Sequence, residues 1–160
     1  MYTKAISLSL ALALSALGLG GCVEAGTGSL LFSQLSLAPG STGTLTLSAA
    51  GISKLNSIQI GPKGAMRFNP AVVQVVAVTG VNGFVVFASD VDNAAGQVTL
   101  AAGSTSGPVP DGVVLEFTVQ AVGAAGASTE VRIDQVDFLL KANSEPIKGI
   151  SLSPGTVSIN

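Results

Sequence analysis

The residue types that most often perform catalysis are scarce in this 160-residue chain. It contains no histidine and a single cysteine, Cys22. The usual zinc sites, cysteine–histidine pairs and serine–histidine–aspartate triads all need residues that this sequence lacks. We therefore expect a protein that is not an enzyme, has no catalytic residue and binds no cofactor.

Oxygen donors cluster in the segment Asp90-Val91-Asp92-Asn93. Calcium prefers carboxylate and carbonyl oxygens, which makes Asp90, Asp92 and Asn93 the candidate calcium ligands of this chain. The alternative interpretation is a solvated turn, because Asp and Asn are also common turn residues.

The other carboxylates do not form an obvious acid–base pair. Asp134 and Asp137 are three residues apart on a predicted strand, so they are expected on opposite faces of it. Glu116 and Glu130 are interpreted as strand residues that face solvent. Glycoside hydrolysis needs two carboxylates flanking one bond, and the sequence does not indicate such a pair.

The only cysteine follows an apolar N-terminal run. Ala5–Leu19 is almost purely apolar, comes after Lys4 and is shorter than the roughly 20 residues of a membrane-spanning helix. These are the charged and apolar regions of a secretory signal, and a small-residue pair then precedes Cys22.

The junction Leu19-Gly20-Gly21-Cys22 resembles the lipobox of bacterial lipoprotein signals. The resemblance implies cleavage before Cys22, a diacylglyceryl thioether on its sulfur and an acylated amine. The alternative is a plain secretory signal followed by a free thiol. On the lipoprotein interpretation, residues 1–21 are the signal peptide, 22–28 a lipidated tether and 29–160 the folded domain.

Charge further restricts the partners. The chain has nine acidic residues against seven lysines and arginines, and it lacks a basic patch. Nucleic acid is therefore not an expected partner. The expected location is the cell envelope, with the protein lipid-anchored to a membrane and facing the periplasm or the cell exterior.

Alternating apolar and polar residues predict β-strands that could position these groups. The alternation has period two, with one side of each run in a core and the other in water. Gly, Pro, Asn and Asp separate the runs, which is typical of an all-β sandwich. Sustained helical periodicity is missing, although a short helical turn is possible over 70–73. The inward residues are Leu45, Leu47, Ile58, Ile60, Val98, Leu100, Leu115, Phe117, Val119, Val131 and Ile133.

Two runs are nearly continuous in apolar residues. Val72–Val78 and Phe84–Phe87 are therefore predicted as central strands or as strands covered on both faces. All six phenylalanines fall in predicted strands and are expected in the core. They are Phe32, Phe68, Phe84, Phe87, Phe117 and Phe138.

The block Arg67-Phe68-Asn69-Pro70-Ala71-Val72-Val73-Gln74-Val75 resembles the signature of cohesin domains, in which Tyr or Phe is followed by Asp, Pro and Val or Leu. The resemblance extends over 29–160. It implies a jelly-roll β-sandwich of about nine strands, a fold shared with carbohydrate-binding modules. This sequence departs from the signature in having Asn69 for Asp and a Gly61-Pro62-Lys63-Gly64 segment just before the signature strand.

Two functions follow from the resemblance. Cohesins in cellulosomes bind dockerin domains on a flat sheet face, which implies a protein-binding module with an unknown protein partner. The alternative is a carbohydrate- or polysaccharide-binding module of the same fold. Sugar rings are usually gripped by Trp or Tyr, and the chain has no Trp and only Tyr2, inside the predicted leader. The sequence leaves the binding face open.

Overall fold

The computed structural model of the protein describes residues 28–61 and 63–160. The predicted signal peptide and the lipobox residues Leu19, Gly20, Gly21 and Cys22 lie outside the described residues. The described part contains only β-strands and connecting turns. The strands are β1 (Ser29–Phe32), β2 (Leu35–Leu37), β3 (Thr42–Ala50), β4 (Leu55–Ile60), β5 (Met66–Arg67), β6 (Val73–Gly80), β7 (Phe84–Asp92), β8 (Gln97–Ser104), β9 (Gly112–Ala121), β10 (Ser128–Ile133), β11 (Phe138–Lys141), β12 (Ser151–Ser153) and β13 (Gly155–Ile159).

One sheet has five strands in the order β12-β1-β3-β9-β6. Its centre is the antiparallel pair β3–β9, in which Leu45 lies opposite Phe117 and Thr46 opposite Glu116. The leucine and the phenylalanine are fully buried, whereas the threonine and the glutamate belong to the outward side. The predicted period-two alternation is confirmed in this sheet.

The second sheet is built around β8. Strands β4 and β5 pair one after the other along one edge of β8, and β7 pairs along its other edge. Strands β11 and β10 continue the sheet beyond β4 and β5, and β13 and β2 follow β10. Strands β4 and β5 are separate because the pairing with β8 stops after Ile60 and resumes at Met66.

The core lies between the two sheets. Phe32 and Phe117 are in ring contact there, with centroids 5.7 Å apart and planes tilted by 60°. Tilted aromatic pairs are favourable beyond the area that they bury. The inward residues predicted from period two are all buried.

The predicted fold class, an all-β jelly-roll sandwich, is confirmed. The described residues form thirteen strands rather than about nine, because short segments such as β5 and β12 count separately. Within residues 28–61 and 63–160, no helix has the length and hydropathy that crossing a bilayer requires.

The prediction that the two continuous apolar runs form central strands is wrong. Strand β6 is an edge strand of the five-stranded sheet, and β7 pairs only with β8. Val76 is 59% exposed and Val85 is 45% exposed as a result. Each strand contains a register shift, between Val75 and Ala77 in β6 and between Val86 and Ala88 in β7. A bulge of this kind breaks the alternation that sequence reasoning relies on.

The signature block ends one strand and starts the next through a tight turn. The Asn69 side-chain oxygen accepts a hydrogen bond from the Ala71 N–H at 3.0 Å, and the backbone oxygen of Asn69 accepts from Val72 N–H at 3.0 Å. The Val73 N–H also donates to the Asn69 oxygen at 3.1 Å, so the Asx-type turn is combined with a single helical turn that has Pro70 at its first position. An amide oxygen accepts the bond from Ala71 as a carboxylate would, which explains how Asn69 can replace the Asp of the signature.

Candidate functional site

The outward residues of β7, β8, β4 and β11 form one continuous surface, which we call the outer face. The pairing of these strands fixes which residues are neighbours on it. One row runs across the strands through Val85, Gly103, Ser57 and Leu140. The next row runs through Ala88, Ala101, Gln59 and Phe138. Both rows therefore lie side by side on one face of the same sheet.

The outer face carries most of the large apolar side chains that the fold leaves in solvent. Phe87 is 63% exposed, Phe138 is 57% exposed and Val85 is 45% exposed. The prediction that all six phenylalanines lie in the core is wrong for Phe87 and Phe138. Phe87 is the extra residue of the bulge in β7 and lies outward, three residues after buried Phe84, and Phe138 lies on the outward side of β11 next to buried Leu139.

The surface next to Phe87 is low because its residues are small, and Gln59 lies between this low part and Phe138. A Cβ atom on Gly103 would lie 3.0 Å from Cε2 of Phe87, so the ring edge lies above this glycine. Ala101 and Ser57 continue the floor towards β11. Three strand spacings separate β7 from β11, which is about 14 Å. The outer face is thus a trough with Phe87 on one side and Phe138 on the other.

Charged and polar residues are concentrated at the end of the trough that adjoins β5. Arg67 donates from Nε to Asp134 at 2.8 Å and from Nη1 to the Gln97 side chain at 2.7 Å. Arg132, which lies opposite Arg67 across β5 and β10, donates from Nε to the other Asp134 oxygen at 3.2 Å. One carboxylate therefore lies between two arginines that would otherwise repel each other.

These contacts shift the acid–base behaviour of the cluster. The hydrogen bond from Arg67 is the largest cause that lowers the pKa of Asp134, and Arg132 acts in the same direction. Hydrogen bonds from Arg132 to Asp134, which has the larger effect, and to Glu130 raise the pKa of Arg132. All of these side chains are partly exposed, so water screens their interactions and the cluster is a weak source of stability.

The structure places Asp134 and Asp137 differently from the prediction. Strand β10 ends at Ile133 and β11 begins at Phe138, so both carboxylates lie in the connection rather than on a strand. The prediction that they occupy opposite faces of a strand is therefore wrong. Asp137 accepts a hydrogen bond from the Lys63 backbone N–H at 3.0 Å, which fastens the connection to the segment before β5.

A groove of about 500 Å³ opens where this segment leaves the sheet. Polar side chains of Gln59, Gln97, Thr99 and Asp90 line it together with Arg67. The chain at Gly61, whose φ is +103°, lies close to the sheet. A Cβ at this position would lie 2.7 Å from the Thr99 side chain, so only glycine fits there without a shift. Gly61, Lys63 and Gly64, which belong to the segment just before the signature strand, therefore line one side of a polar groove on the outer face.

The three candidate calcium ligands do not converge on one point. Asp92 Oδ1 accepts hydrogen bonds from the Ala94 and Ala95 N–H groups at 3.0 and 2.9 Å, which is a turn cap. Both ends of the Asn93 amide are bonded to the backbone of Val75. In the described part of the chain, no three side chains of the His, Cys, Asp and Glu types are grouped so that they could hold a metal ion.

Glu116 and Glu130 lie on strands, as predicted, in two different sheets. Glu116 is half-buried among the polar outward residues of the five-stranded sheet, and Glu130 is exposed on β10. Glu130 contacts Arg132 at 3.3 Å. The two carboxylates therefore do not share a site.

Comparison with known proteins identifies the class of fold. No family model and no curated protein matches this sequence. Solved structures match over nearly the whole described region, and the protein has the cohesin-like fold. These solved structures are cohesin modules. Their sequence identities to this chain are low, so the similarity shows a shared fold alone.

Three of these structures illustrate the similarity. A cohesin–dockerin complex from Clostridium thermocellum matches with a TM-score of 0.70 and 9% identity, covering 84% of this chain and 99% of that one. A cohesin module from a Clostridium perfringens family 33 glycoside hydrolase has a TM-score of 0.69 and 15% identity, covering 84% and 98%. A non-cellulosomal cohesin from the archaeon Archaeoglobus fulgidus has a TM-score of 0.63 and 13% identity, covering 82% and 91%.

Proposed function

We propose that this protein is a non-catalytic docking module of the cell envelope, and that its outer face binds a protein partner. The observation that carries the proposal is the exposure of Phe87, Phe138 and Val85 on one sheet face. Large apolar side chains gathered on one surface mark interaction sites in soluble domains. Several of the structurally similar cohesins were solved bound to dockerins, which supports a protein as the partner.

The shape of the outer face favours a helical element of the partner. The trough is about 14 Å wide between the strands that carry Phe87 and Phe138. A helix with its side chains is about 10–12 Å across, so it fits between the two rings when it lies along the strands. The floor of Gly103 and Ala101 permits a close approach, and the two aromatic side chains are the expected anchors.

We further propose that a lipid on Cys22 holds the module to a membrane. The junction Leu19-Gly20-Gly21-Cys22 supports this, since it places the only cysteine directly after a small-residue pair and an apolar run. Two or more acyl chains on one residue give stable membrane attachment, whereas a single chain gives marginal binding. The docking surface would then be displayed in the periplasm or at the cell exterior.

The docking proposal can be tested with a soluble fragment, 28–160, used as bait. Cell-envelope and secreted proteins of the source organism would be captured with the wild-type fragment and with a Phe87→Asp variant. A Val76→Asp variant is the matched control, because Val76 is equally exposed but lies on β6 in the other sheet. We expect a protein that the wild type and the control capture and that Phe87→Asp loses. Equal capture by all three baits would refute the proposal.

The polar groove supports a second candidate, the binding of a polysaccharide. Gln59, Gln97 and Thr99 offer hydrogen-bonding groups in a cavity of about 500 Å³, which is large enough for a short glycan. The groove lining has no aromatic side chain on which a sugar ring could stack. A glycan array probed with the same fragment separates the two candidates. Binding that a Gln97→Ala change abolishes and Phe87→Asp leaves intact would favour the polysaccharide.

A further inference from the structure

The floor of the outer face rises from one end of β8 to the other. From the end beside Phe87, the outward residues of β8 are Gly103, Ala101, Thr99 and Gln97, so the side chain becomes larger at each step. The Phe87 ring edge lies above Gly103, and the polar groove opens at Thr99 and Gln97. These outward residues span about 20 Å along the strand. A helix that lies along the strands therefore meets a low apolar end and a higher polar end.

The β7 side of the polar groove carries a negative charge that is not used within the domain. Asp90 lines the groove, lies opposite Thr99 and is exposed. No ion pair within residues 28–61 and 63–160 involves Asp90. The next outward residue of β7, Asp92, accepts the Ala94 and Ala95 N–H groups and so belongs to the turn after β7. Asp90 is therefore the carboxylate that this side of the groove offers to a partner.

The opposite side of the groove is lined by two cations, Lys63 and Arg67. Lys63 is exposed, and its ammonium forms no ion pair with any residue that the structure describes. Arg67 differs from it, because Asp134 and Gln97 already accept its hydrogen bonds. Counted with the residues behind the groove, the cations and carboxylates of this side are equal in number: Lys63, Arg67, Arg132, Glu130, Asp134 and Asp137. The groove therefore offers one anion and one cation on opposite sides rather than a field of one sign.

The two sides of the groove are about one helix diameter apart. Strand β7 pairs along one edge of β8, whereas β4, β5 and the segment between them lie along the other edge. Two strand spacings, about 10 Å, therefore separate Asp90 from the opposite side. A helix is about 10–12 Å across with its side chains, so one flank would face Asp90 and the other Lys63. Along β7, Phe87 and Asp90 are three residues or about 10 Å apart, which a helix covers with about seven residues.

We propose that the outer face selects an amphipathic partner helix that has an apolar stripe and oppositely charged flanks. An apolar residue of the helix contacts Phe87. About seven residues away, a lysine or arginine lies against Asp90, and an aspartate or glutamate on the other flank lies against Lys63. This inference rests on the proposed docking function and specifies the surface of the partner. Exposed ion pairs contribute little to affinity, so their role is to fix the register of the helix and to reject helices with the wrong charges.

Selection from a library of displayed helices tests this charge pattern without the natural partner. A phage library presents one randomised helix on a small helical scaffold. The baits are the 28–160 fragment and its Asp90→Lys, Lys63→Glu and Glu116→Lys variants. Glu116→Lys is the control, because Glu116 lies in the other sheet. Phage that bind a Phe87→Asp fragment are removed first, so that only binders of the outer face remain.

We expect the wild-type and Glu116→Lys baits to enrich a basic residue about seven positions from an apolar one, and the Asp90→Lys bait to enrich an acidic residue there. Lys63→Glu should change the other flank from acidic to basic. With one selected helix, reversing the charge of either Asp90 or the selected basic residue should weaken Kd about fivefold, and reversing both should restore it.

The two proposals fail in different ways. Selected helices with the same flank charges on every bait overturn this inference and leave docking on the outer face standing. A selection without any binder that depends on Phe87 overturns the docking proposal, and this inference with it.

Discussion

The side-chain amide of Asn93 pairs with the backbone of Val75 as a neighbouring strand would. Asn93 Oδ1 accepts the Val75 N–H at 2.8 Å, and Asn93 Nδ2 donates to the Val75 oxygen at 2.9 Å. Val75 lies in β6, the edge strand of the five-stranded sheet. An open edge exposes backbone groups that can pair with another chain. One side chain from the turn after β7 therefore closes part of this edge and links the two sheets.

Replacing Asn93 should weaken the fold. Asn93→Ala leaves a buried Val75 N–H and its oxygen without partners, and we expect a loss of about 1–3 kcal/mol in the free energy of unfolding. Urea unfolding of the 28–160 fragment measures it. Asn143→Ala is the control, because Asn143 is exposed and contacts only nearby Glu145, and it should change stability by less than about 0.5 kcal/mol. Equal effects of the two changes would show that the pairing with Val75 is unimportant.

The same asparagine shows where sequence reasoning reaches its limit. Alternation in segments such as Leu45 to Leu47 correctly predicts strands and the core, because burial repeats with period two. The pairing of Asn93 with Val75 depends on how β6 and β7 meet across the sandwich, which no local pattern encodes. The sequence alone therefore predicts a calcium ligand or a turn residue at Asn93.

The outer face was missed for a related reason. The run Phe84–Phe87 is fully apolar, so its composition does not distinguish the inward Phe84 and Val86 from the exposed Val85 and Phe87. Phe138 next to Leu139 does carry a period-two signal, with one residue outward and one inward. That signal spans too few residues to decide the direction without knowing the neighbouring strands.

Truncation to alanine should destabilise the fold strongly at Phe117 and hardly at all at Phe87. Phe117 is fully buried and contacts Phe32, so Phe117→Ala should cost about 3–5 kcal/mol of unfolding free energy. Phe87 is mostly exposed, and Phe87→Ala should cost less than about 0.5 kcal/mol. Urea denaturation of both variants provides the comparison. A cost under about 1 kcal/mol for Phe117→Ala, or a large one for Phe87→Ala, would contradict the assignment of inward and outward faces.

The arginine cluster should make stability depend on acid. The pKa of Asp134 is lowered in the folded state, so its contribution is present above the unfolded pKa of about 4 and is lost as the pH falls through the folded value. Asp134→Asn should therefore flatten the fall in stability below about pH 4. Thermal unfolding between neutral and acidic pH tests this. The effect should be small because the side chain is partly exposed, and 0.5 M salt should reduce it further. Identical pH profiles for variant and wild type would refute the assignment.

Removal of the proposed lipid should release the protein from the membrane. In cell fractionation, we expect the wild type in the membrane fraction and Cys22→Ala in the soluble fraction, because the cysteine sulfur is the proposed attachment point. Metabolic labelling with a fatty acid gives a second readout, with label on the wild type alone. A Cys22→Ala protein that stays in the membrane fraction would contradict lipid anchoring at this residue.

The affinity of a captured protein partner for the outer face tests the account most directly. Isothermal titration would compare the wild-type 28–160 fragment with Phe87→Asp, Phe138→Asp and the control Val76→Asp. Loss of an anchor residue typically costs at least about 2 kcal/mol of binding free energy, which corresponds to roughly 30-fold in Kd. We predict a weakening of that size for both outer-face variants and an unchanged Kd for Val76→Asp. Affinities within threefold of the wild type for Phe87→Asp and Phe138→Asp, with the fold intact, would place the partner elsewhere and contradict the account.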